Sequence, residues 1–318
     1  MSRRSTLARI SQRAGAQAYA LGWVVVRWLP SFIARPAFRA IADYVWWRGG
    51  AGMRQLESNL RRVVHPDDQT ELRSLTRAAL RSYLRYWLEV FRLPALSRGA
   101  VADRFHVYGE ERLWEALRSG RGVVLALPHS GNWDHAGAWI ALSGHPFATV
   151  AERVEPESLY NRFVAFRQRL GMEVLPLTGG RKVVYASLTT RLRAGGLVCL
   201  LADRDLTASG VEVSFFGEPA RMPAGPATLA LDTGAVLVPV TLWYEGRDWA
   251  GQVHPEITVP QAGTRSEKIA AMTQDLAQEF EGSIAAHPQD WHMMQRLWTA
   301  DLGRARTASG VGSWSRHG

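Results

Sequence analysis

The pattern of apolar and polar positions divides the chain into an N-terminal part with helical periods and a longer part in which apolar runs and amphipathic stretches alternate. From residue 122 onward, short runs rich in Val, Leu and Ala have the length of buried strands, and stretches with apolar residues at helical spacing separate them. Strands that alternate with helices form mainly parallel sheets with helices on both faces. The pattern therefore predicts an α/β fold with a mainly parallel central sheet.

The predicted elements of this longer part follow one another in regular order. The strands are predicted at 122–127, 147–151, 174–175, 197–202, 236–243 and 252–259. The helices are predicted at 132–143, 156–170, 181–193, 224–233, 266–286 and 291–299. The stretch between the strand at 197–202 and the helix at 224–233 is interpreted as a loop.

The N-terminal part has helical periods but no stretch that could cross a bilayer. One strong helix is predicted at 71–91, where apolar residues repeat at three and four. Upstream, the stretch 16–47 is apolar but interrupted by arginine and proline. Its longest clean run, 14–26, falls well short of the ~20 residues that a membrane-spanning helix needs, and it lacks the cleavage pattern of a signal peptide. We expect a helical hairpin that either lies at a membrane surface or packs as ordinary helices.

The positive charge of the chain is concentrated in this N-terminal part. The formal net charge is +9, and residues 1–62 hold eleven arginines against Asp43 and Glu57, so the remainder is balanced. A basic segment attached to a neutral domain favours docking on a polyanionic surface. Tryptophan is favoured at membrane interfaces. Four N-terminal tryptophans are candidate anchors, namely Trp23, Trp28, Trp46 and Trp47.

A cationic stripe follows one face of the helix predicted at 71–91. Four arginines repeat at intervals of four, namely Arg73, Arg77, Arg81 and Arg85. The stripe is either a solvated face or a surface for phosphate head groups. We expect one structural domain in three parts, namely a basic, interfacial helical region at 1–110, an α/β core at 111–301 and a disordered tail at 302–318.

A histidine follows the first strand of the core, at the point where the chain turns into a helix. His129 comes after the apolar run 122–127, and Asp134 opens the helical pattern. Histidine can accept a proton near neutral pH, and a carboxylate can hold its ring. Glu152 and Asp203 follow two other predicted strands, and the carboxyl ends of parallel strands share one edge of a sheet. We therefore expect these side chains to line one crevice.

Several reaction classes lack their sequence signature. There is no GxSxG elbow, and the single cysteine, Cys199, lies within an apolar run that predicts a buried strand. Ser130, beside the histidine, is interpreted as a turn or capping residue. No P-loop, GxGxxG motif or metal-ligand spacing is present. What remains is a general base that activates an acceptor hydroxyl for direct attack on an activated acyl group.

An ordered series of motifs resembles a known enzyme family. His129-Ser-Gly-Asn-Trp-Asp134 resembles the HX4D/E motif of the late lipid A biosynthesis acyltransferases, within the lysophospholipid acyltransferase superfamily. The other matching motifs are Arg167-Gln-Arg-Leu-Gly171, Asp203-Arg-Asp205, Phe215-Phe-Gly-Glu-Pro-Ala220, Thr233-Gly-Ala235 and His287-Pro-Gln-Asp-Trp291. Within this family, residues 20–30 and 81–87 resemble the actinobacterial phosphatidylinositol mannoside acyltransferases.

The resemblance implies transfer of an acyl group, typically palmitoyl, from acyl-CoA to the 6-hydroxyl of a mannose in a phosphatidylinositol mannoside. His129 would remove the hydroxyl proton without an acyl-enzyme, and either Asp134 or Asp203 would orient its ring. Backbone N–H groups at 130–132 are expected to face the developing oxyanion or a phosphate. Acyl-CoA is expected as co-substrate, with no further cofactor and no metal.

Five further residues are expected to contact substrates. They are Glu152 for the acceptor sugar, Arg167 and Arg221 for a phosphate, Ser209 for the pantetheine or thioester, and Asp232 as a weaker candidate. The alternative for Glu152 is an exposed strand-end acid, and for the two arginines it is a surface salt bridge. The acyl chain is expected in an apolar groove lined by the helix at 224–234 and by Phe215 and Phe216.

The expected partners are acyl-CoA, the phosphatidylinositol mannoside and an anionic membrane surface, with no nucleic acid. We expect a monomer that is peripheral to the cytoplasmic face of the plasma membrane. Two alternatives stay open at this point. The chain could acylate another glycolipid or a lysophospholipid, or it could be a lipid-surface binding protein without catalysis, although that reading leaves the series that begins at His129 unexplained.

Overall fold

A seven-stranded sheet forms the centre of the computed structural model, which describes residues 26–151, 157–176, 180–205 and 210–302. In chain order the strands are β1 (Phe105–Tyr108), β2 (Val123–Leu127), β3 (Phe147–Ala151), β4 (Met172–Pro176), β5 (Leu197–Leu201), β6 (Val211–Phe215), β7 (Glu218–Met222), β8 (Val236–Glu245) and β9 (Asp248–Val253). The sheet order is β1-β9-β8-β2-β5-β3-β4, and β6 and β7 form a separate hairpin. All neighbouring strands of the sheet are parallel except β8 and β9, so the prediction of a mainly parallel sheet is confirmed.

Helices precede the sheet and cover both of its faces. In chain order they are α1 (Ser31–Arg48), α2 (Ala51–Val64), α3 (Gln69–Arg92), α4 (Arg98–Ala102), α5 (Glu110–Arg118), α6 (Trp133–Leu142), α7 (Glu157–Arg169), α8 (Arg181–Arg193), α9 (Gly225–Thr233) and α10 (Arg265–Ala286). Side chains satisfy the free N–H groups at several starts. Asp68 accepts from Thr70 at the start of α3, and Thr264 and Glu267 form a capping box at α10.

The alternation of side chains along β2 separates two hydrophobic cores. Val124 and Ala126 point into a core shared with α8, α9 and α10. Leu125 and Leu127 point into a second core with α5, α6 and α7. Successive strand residues face opposite sides of a sheet, and a strand that is apolar on both sides must be covered twice. The helices on both faces that the sequence predicts are therefore present.

The N-terminal helices have a small core of their own, and the outer surface of α1 exposes large apolar side chains. Trp28, Phe32 and Trp47 are 74%, 78% and 74% exposed. Trp46 instead packs partly against the core between α1, α2 and α3. Among the described residues, no helix is both long and apolar enough to span a bilayer. Trp23, the start of the chain and the tail after residue 302 lie outside the described residues.

The arginine stripe on α3 is largely occupied by contacts within the protein. The guanidinium groups of Arg77 and Arg81 both bind the carboxylate of Asp43 on α1, at distances of 2.5 to 2.9 Å. Arg85 binds Glu89 at 2.7 Å and the carbonyl oxygens of the turn 246–248. Three of the four stripe arginines therefore tie α3 to its neighbours.

Two predicted segments are wrong in secondary structure. The loop predicted before the helix at 224–233 contains the hairpin of β6 and β7, in which Val213 and Phe215 are buried. The segment predicted as a helix at 291–299 has an extended backbone over most of its length, because its residues pair with residues that are distant in the sequence. Trp291 forms a bridge with Ser130, and Trp298 forms one with Ala220. Long-range pairing overrides the local period in both segments.

The ends of the sheet also differ from prediction. β9 covers Asp248–Val253, so the strand predicted at 252–259 is displaced towards the N-terminus. β1 and α5 lie in a stretch for which no element is predicted. β1 pairs with β9 in parallel and forms the edge of the sheet, beyond the antiparallel pair of β8 and β9. Short edge strands of this kind carry little periodic signal.

Candidate active site

His129 and Asp203 form a hydrogen-bonded pair at the carboxyl ends of two strands. The imidazole Nδ1 of His129 lies 2.5 Å from Oδ1 of Asp203, and the backbone N–H of His129 donates to Oδ2 at 2.9 Å. The side chain of Asp203 is fully buried, whereas 23% of the His129 side chain is exposed. Within the described part of the chain, Nε2 of His129 has no hydrogen-bond partner. One nitrogen of the ring is thus held by a buried carboxylate, and the other is available to a bound molecule.

The register of the sheet explains why these two residues meet. β2 and β5 are parallel neighbours, and Leu127 pairs with Leu201 at their ends. The amide N–H of Ala202 continues the pairing by donating to the carbonyl of Leu127 at 2.8 Å. His129 and Asp203 follow at matching steps beyond the strands. Residues far apart in the chain are thereby fixed at one edge of the sheet.

Asp203 is ionised in this environment despite its burial. Burial by itself would raise the pKa of the carboxyl, but the adjoining His129 and the N–H donors of His129 and Trp291 outweigh it and hold the pKa below its usual value. The Trp291 indole N–H donates to Oδ2 at 2.9 Å. A carboxylate held in the charged form can orient a neutral imidazole and stabilise an imidazolium.

Asp134 does not contact His129 but forms a buried ion pair with Arg167. The guanidinium of Arg167 on α7 binds the two carboxylate oxygens at 2.6 and 2.9 Å, and the hydroxyl of Tyr86 on α3 donates at 2.8 Å. Asp134 lies in the first turn of α6, on the side that faces the protein interior. Of the two alternatives for orienting His129, the structure brings Asp203 to the imidazole and turns Asp134 towards Arg167. Arg167 is thus part of a largely buried ion pair and not of a surface salt bridge, and its contact with a phosphate stays a prediction.

The turn after His129 uses backbone N–H groups that were expected to be free. Ser130 donates to the carbonyl of Pro128 at 2.8 Å, and Gly131 donates to the carbonyl of Asp290 at 2.9 Å. Gly131 has a φ of +57°, and a Cβ there would lie 2.7 Å from the backbone carbon of Leu242. Only glycine fits this turn. Of the N–H donors expected at 130–132, those of Ser130 and Gly131 are therefore already bonded within the protein, and that of Asn132 stays a prediction.

An apolar cavity lies under α6, on the face of the sheet that this helix covers. It has a volume of about 100 Å³ for the centres of water-sized molecules. Residues of all seven strands line it, and Leu127, Leu201 and Trp133 place part of its wall next to the His129–Asp203 pair. The groove for the acyl chain was expected at Phe215 and the helix at 224–234. These residues lie on the opposite face of the sheet, where Phe215 is fully buried in the core.

The other predicted contact residues fall into two groups. Asp232 on α9 accepts from Tyr185 and from Arg265, whose guanidinium lies 2.7 Å away and holds the pKa of the carboxyl below its usual value. Arg221 lies on β7, half-buried, and its backbone N–H donates to the carbonyl of Leu297 at 3.0 Å. Glu152 and Ser209 lie outside the described residues, so their roles stay predictions.

Some residues that shape the site were not expected from the sequence. Glu89 on α3 is half-buried and accepts from the amide of Asn132 at 2.9 Å and from the indole of Trp249 at 2.6 Å. Its position on α3 gives no local signal of this role. Trp291 and His292 lie in the segment after α10. No local pattern in the sequence indicates that they contact the turn after His129. These residues connect the turn after His129 to distant elements.

The buried ionisable groups near the His129–Asp203 pair are held in their neutral forms. Burial lowers the pKa of His292 to about 3 and that of His135 to about 4, so both are neutral near pH 7. Burial raises the pKa of the Cys199 thiol, which keeps it protonated. In the described ranges, no group of three or more His, Cys, Asp or Glu side chains is placed to hold a metal ion. Unlike these buried groups, His129 is partly exposed, and its Nδ1 is bound by the carboxylate of Asp203.

Comparison with known proteins gives one consistent result over almost the whole chain. A family model described as bacterial lipid A biosynthesis acyltransferase matches residues 1–300. The chain is 51% identical over 290 residues to a phosphatidylinositol mannoside acyltransferase of Mycolicibacterium smegmatis, covering 91% of this chain and 93% of that protein. It is 49% identical over 301 residues to a phosphatidylinositol mannoside acyltransferase of Mycobacterium tuberculosis, covering 94% and 93%.

Proposed function

This chain belongs to the bacterial lipid A biosynthesis acyltransferase family, and we propose that it transfers a palmitoyl group from acyl-CoA to the 6-hydroxyl of a mannose in a phosphatidylinositol mannoside. Its relatives in two mycobacterial species are named for acyl transfer to that acceptor class. The observation that carries the proposal is the His129–Asp203 pair, in which the second imidazole nitrogen has no partner among the described residues and lies beside an apolar cavity. The pair supplies a general base, and the cavity supplies a place for the acyl chain.

His129 acts as the base in a direct transfer. Its Nε2 takes the proton of the mannose hydroxyl while the hydroxyl oxygen attacks the thioester carbonyl carbon. A new C–O bond forms, and the carbonyl becomes a tetrahedral oxyanion. When the C–S bond breaks, the proton on His129 passes to the CoA thiolate, so the free thiol leaves and the imidazole is neutral again. No nucleophile of the protein is acylated in this sequence.

Asp203 assists by holding the imidazole in one orientation. Because Nδ1 of His129 carries the proton that Asp203 accepts, Nε2 is left with the lone pair that a base needs. The buried carboxylate then stabilises the imidazolium that forms during attack. An ionised Asp203 at working pH is consistent with the lowered pKa of its carboxyl.

The oxyanion is stabilised by the start of α6 in this proposal. The N–H groups of Ser130 and Gly131 are occupied, so the donors proposed for the oxyanion are those of Asn132 and of the first helical turn, at Trp133 and Asp134. The first N–H groups of a helix have no acceptor within it and lie at the positive end of its dipole. They suit a negative charge that develops near His129.

The acyl chain binds in the cavity under α6 in this proposal. Its lining crosses the sheet from Phe105 on β1 to Met172 on β4. Burying a sixteen-carbon chain at ~0.8 kcal/mol per methylene supplies on the order of 10 kcal/mol before ordering costs. An apolar lining of this kind favours a long-chain donor over a short one.

Other residues keep supporting roles in the proposal. The Asp134–Arg167 pair lines the cavity and fixes α6 against α7, so it positions the helix rather than reacting. Arg221 is proposed to contact a phosphate of CoA or of the acceptor. Glu152 is proposed for the acceptor sugar and Ser209 for the pantetheine or thioester. Asp232, held by Arg265, is the weakest of these candidates.

We propose that α1 docks the protein on an anionic membrane surface, at the cytoplasmic face, as a peripheral monomer. Trp28 and Phe32 are exposed at the start of α1, and Arg35 and Arg39 are exposed on the same helix. Aromatic rings suit the head-group region of a bilayer, and arginines are attracted to anionic lipids. Docking there would bring the site to an acceptor that is itself a membrane lipid.

The test is a transfer assay with radiolabelled palmitoyl-CoA and phosphatidylinositol dimannoside. Wild type is expected to form palmitoylated product, and His129→Ala is expected to be slower by about 10²–10⁴-fold, the usual contribution of a general base. His106→Ala is the matched control, because His106 is an exposed histidine on β1 that contacts Asp248 at 3.8 Å and whose side chain does not line the cavity. It is expected to retain wild-type activity.

The outcomes separate the parts of the proposal. Full activity of His129→Ala would remove the base mechanism while leaving the substrates in place. Product from a lysophospholipid or another glycolipid, but not from the mannoside, would overturn the acceptor. A covalent acyl-enzyme trapped by acid quench would contradict direct transfer. The absence of any transfer, together with tight vesicle binding, would support the non-enzymatic alternative.

A further inference from the structure

The segment that follows α10 contacts both members of the His129–Asp203 pair. The indole N–H of Trp291 donates to Oδ2 of Asp203 at 2.9 Å. The backbone N–H of His292 donates to the carbonyl of His129 at 2.7 Å, and Ser130 and Trp291 form an antiparallel bridge. We propose that Trp291 is a positioning residue for the transfer reaction, which holds the Asp203 carboxylate so that the carboxylate orients the imidazole. This inference rests on the proposed function of the pair.

The donors around Asp203 divide the two carboxylate oxygens between them. Oδ2 receives the indole N–H of Trp291 and the backbone N–H of His129, both at 2.9 Å. Oδ1 is left to the imidazole at 2.5 Å. Two donors on one oxygen fix the plane of the carboxylate, because rotation about its Cβ–Cγ bond would break both bonds. Loss of the indole donor leaves a single backbone bond to resist that rotation.

Trp291 is itself held in one place by its surroundings. The side chain is fully buried, and its ring packs edge-on against Phe215 and Trp298, with ring centres 6.0 and 6.1 Å away. Indole nitrogen is a donor only, and a buried donor without an acceptor is costly. The ring and the carboxylate therefore restrict each other, and the aromatic cluster fixes the orientation of both.

Trp298 provides a matched control within the same cluster. It is also fully buried and packs against Phe215, with ring centres 5.8 Å apart. Its indole N–H donates to the backbone carbonyl of Phe215 at 3.0 Å. Replacing it by phenylalanine removes the same kind of hydrogen bond and the same ring atoms without changing a donor to Asp203. A merely structural role would give the two variants the same kinetic effect.

The first measurement compares Trp291→Phe and Trp298→Phe in steady-state acyl transfer. Trp291→Phe is expected to lower kcat about tenfold, the equivalent of one hydrogen bond to a charged group, with both KM values within about twofold of wild type. Trp298→Phe is expected to keep kcat within about twofold. In an Asp203→Asn background, Trp291→Phe is expected to have less than a twofold further effect, because its route of action is already removed.

The second measurement follows the titration of the His129 imidazole by NMR with labelled histidine, which needs no substrate. Among the described residues, the ionisable groups that interact with His129 are Asp203 and His292, and burial keeps His292 neutral with a pKa of about 3. With one donor fewer, the Asp203 carboxylate attracts the imidazolium more strongly, so the midpoint is expected to rise in Trp291→Phe. It is expected to stay unchanged in Trp298→Phe.

The results distinguish failure of this inference from failure of the proposed function. Equal kcat losses in the two variants, or an unchanged His129 midpoint in a folded Trp291→Phe, would overturn the positioning role. A wild-type protein that acylates no acceptor would overturn the function, while the titration still reports on the contact. If Trp291→Phe does not fold, the wild type provides the test. In a pH titration, the NMR signal of the Trp291 indole N–H is expected to shift with the same midpoint as the His129 imidazole. An indole signal that is constant through that midpoint would contradict the inference.

Discussion

Replacing Asp134 by asparagine tests whether this residue positions α6 or acts on the reacting atoms. In the native protein its carboxylate accepts from Arg167 at 2.6 and 2.9 Å and from Tyr86 at 2.8 Å, and its side chain is 2% exposed. Asparagine keeps the shape but removes the charge. The guanidinium of Arg167, which is 19% exposed, would then be left buried without a counter-charge. We expect a large loss of stability and a small loss of chemistry.

The magnitude follows from the burial of the pair. Removing one partner of a buried ion pair costs roughly 3–5 kcal/mol, because the desolvation cost of the other charge is no longer offset. For a chain of this size that loss lowers the melting temperature by about 4–8 °C. Adding Arg167→Met to Asp134→Asn removes the orphaned charge and keeps an acceptor for the hydroxyl of Tyr86. We expect the double variant to recover at least half of the lost stability.

The assay pairs denaturant unfolding with acyl transfer at 20 °C, where Asp134→Asn is expected to remain folded. Its kcat should lie within about tenfold of wild type, whereas His129→Ala should lose about 10²–10⁴-fold. Two results would refute the reasoning. One is an asparagine variant as stable as wild type, which would mean that the ion pair contributes nothing. The other is a folded variant as inactive as His129→Ala, which would place Asp134 among the reacting groups.

Three further predictions concern acid stability, the cavity and the membrane surface. The folded pKa of His135, about 4, lies below its ordinary 6.5, so the free energy of unfolding falls as pH falls from about 6.5 towards 4. In urea titrations, His135→Gln should reduce the loss of stability between pH 7.5 and 5.5 by about 1.4 kcal/mol. A pH dependence of stability equal to that of wild type would contradict a neutral buried ring. Gly251→Ala places a Cβ 2.9 Å from Leu242 inside the cavity lining. In competition assays this variant should shift the preference for the acyl donor from palmitoyl towards shorter chains by about tenfold. An unchanged preference would mean that the acyl chain binds outside this cavity. Trp28→Ser with Phe32→Ser should weaken flotation with anionic liposomes severalfold, and equal binding to neutral liposomes would argue against the electrostatic part.

The edge of the sheet on which His129 lies could be predicted from the sequence, because strand ends in an α/β pattern share an edge. The choice between Asp134 and Asp203 could not be made in the same way. It depends on the pairing of Leu127 with Leu201, which sets Asp203 level with His129. It also depends on the first turn of α6, which directs Asp134 to Arg167. Both are tertiary facts with no local period.

The same reason explains the elements that were missed or wrong. The hairpin of β6 and β7 and the extended segment at 291–298 are stabilised by contacts across the fold, such as the bridge between Trp298 and Ala220. The face of the sheet that holds the acyl cavity was also not evident. Every central strand is apolar on both sides, so the pattern does not show which covering helix leaves space. Gly137 on α6 and Gly251 on β9 line the cavity, and neighbouring side chains pack closely against both of them.

The contact between Trp291 and Asp203 has a consequence for when the protein becomes active during synthesis. These residues are 88 positions apart, and the segment at 290–292 also holds the turn after His129 through backbone bonds. Chains grow from the N-terminus, and the core strands can assemble before that segment has left the ribosome. The imidazole and its carboxylate then exist without their final support. A nascent or truncated chain that ends before Trp291 lacks the indole donor to Asp203 and two fully buried tryptophans, so we expect it to be both less stable and slower in acyl transfer than the full chain.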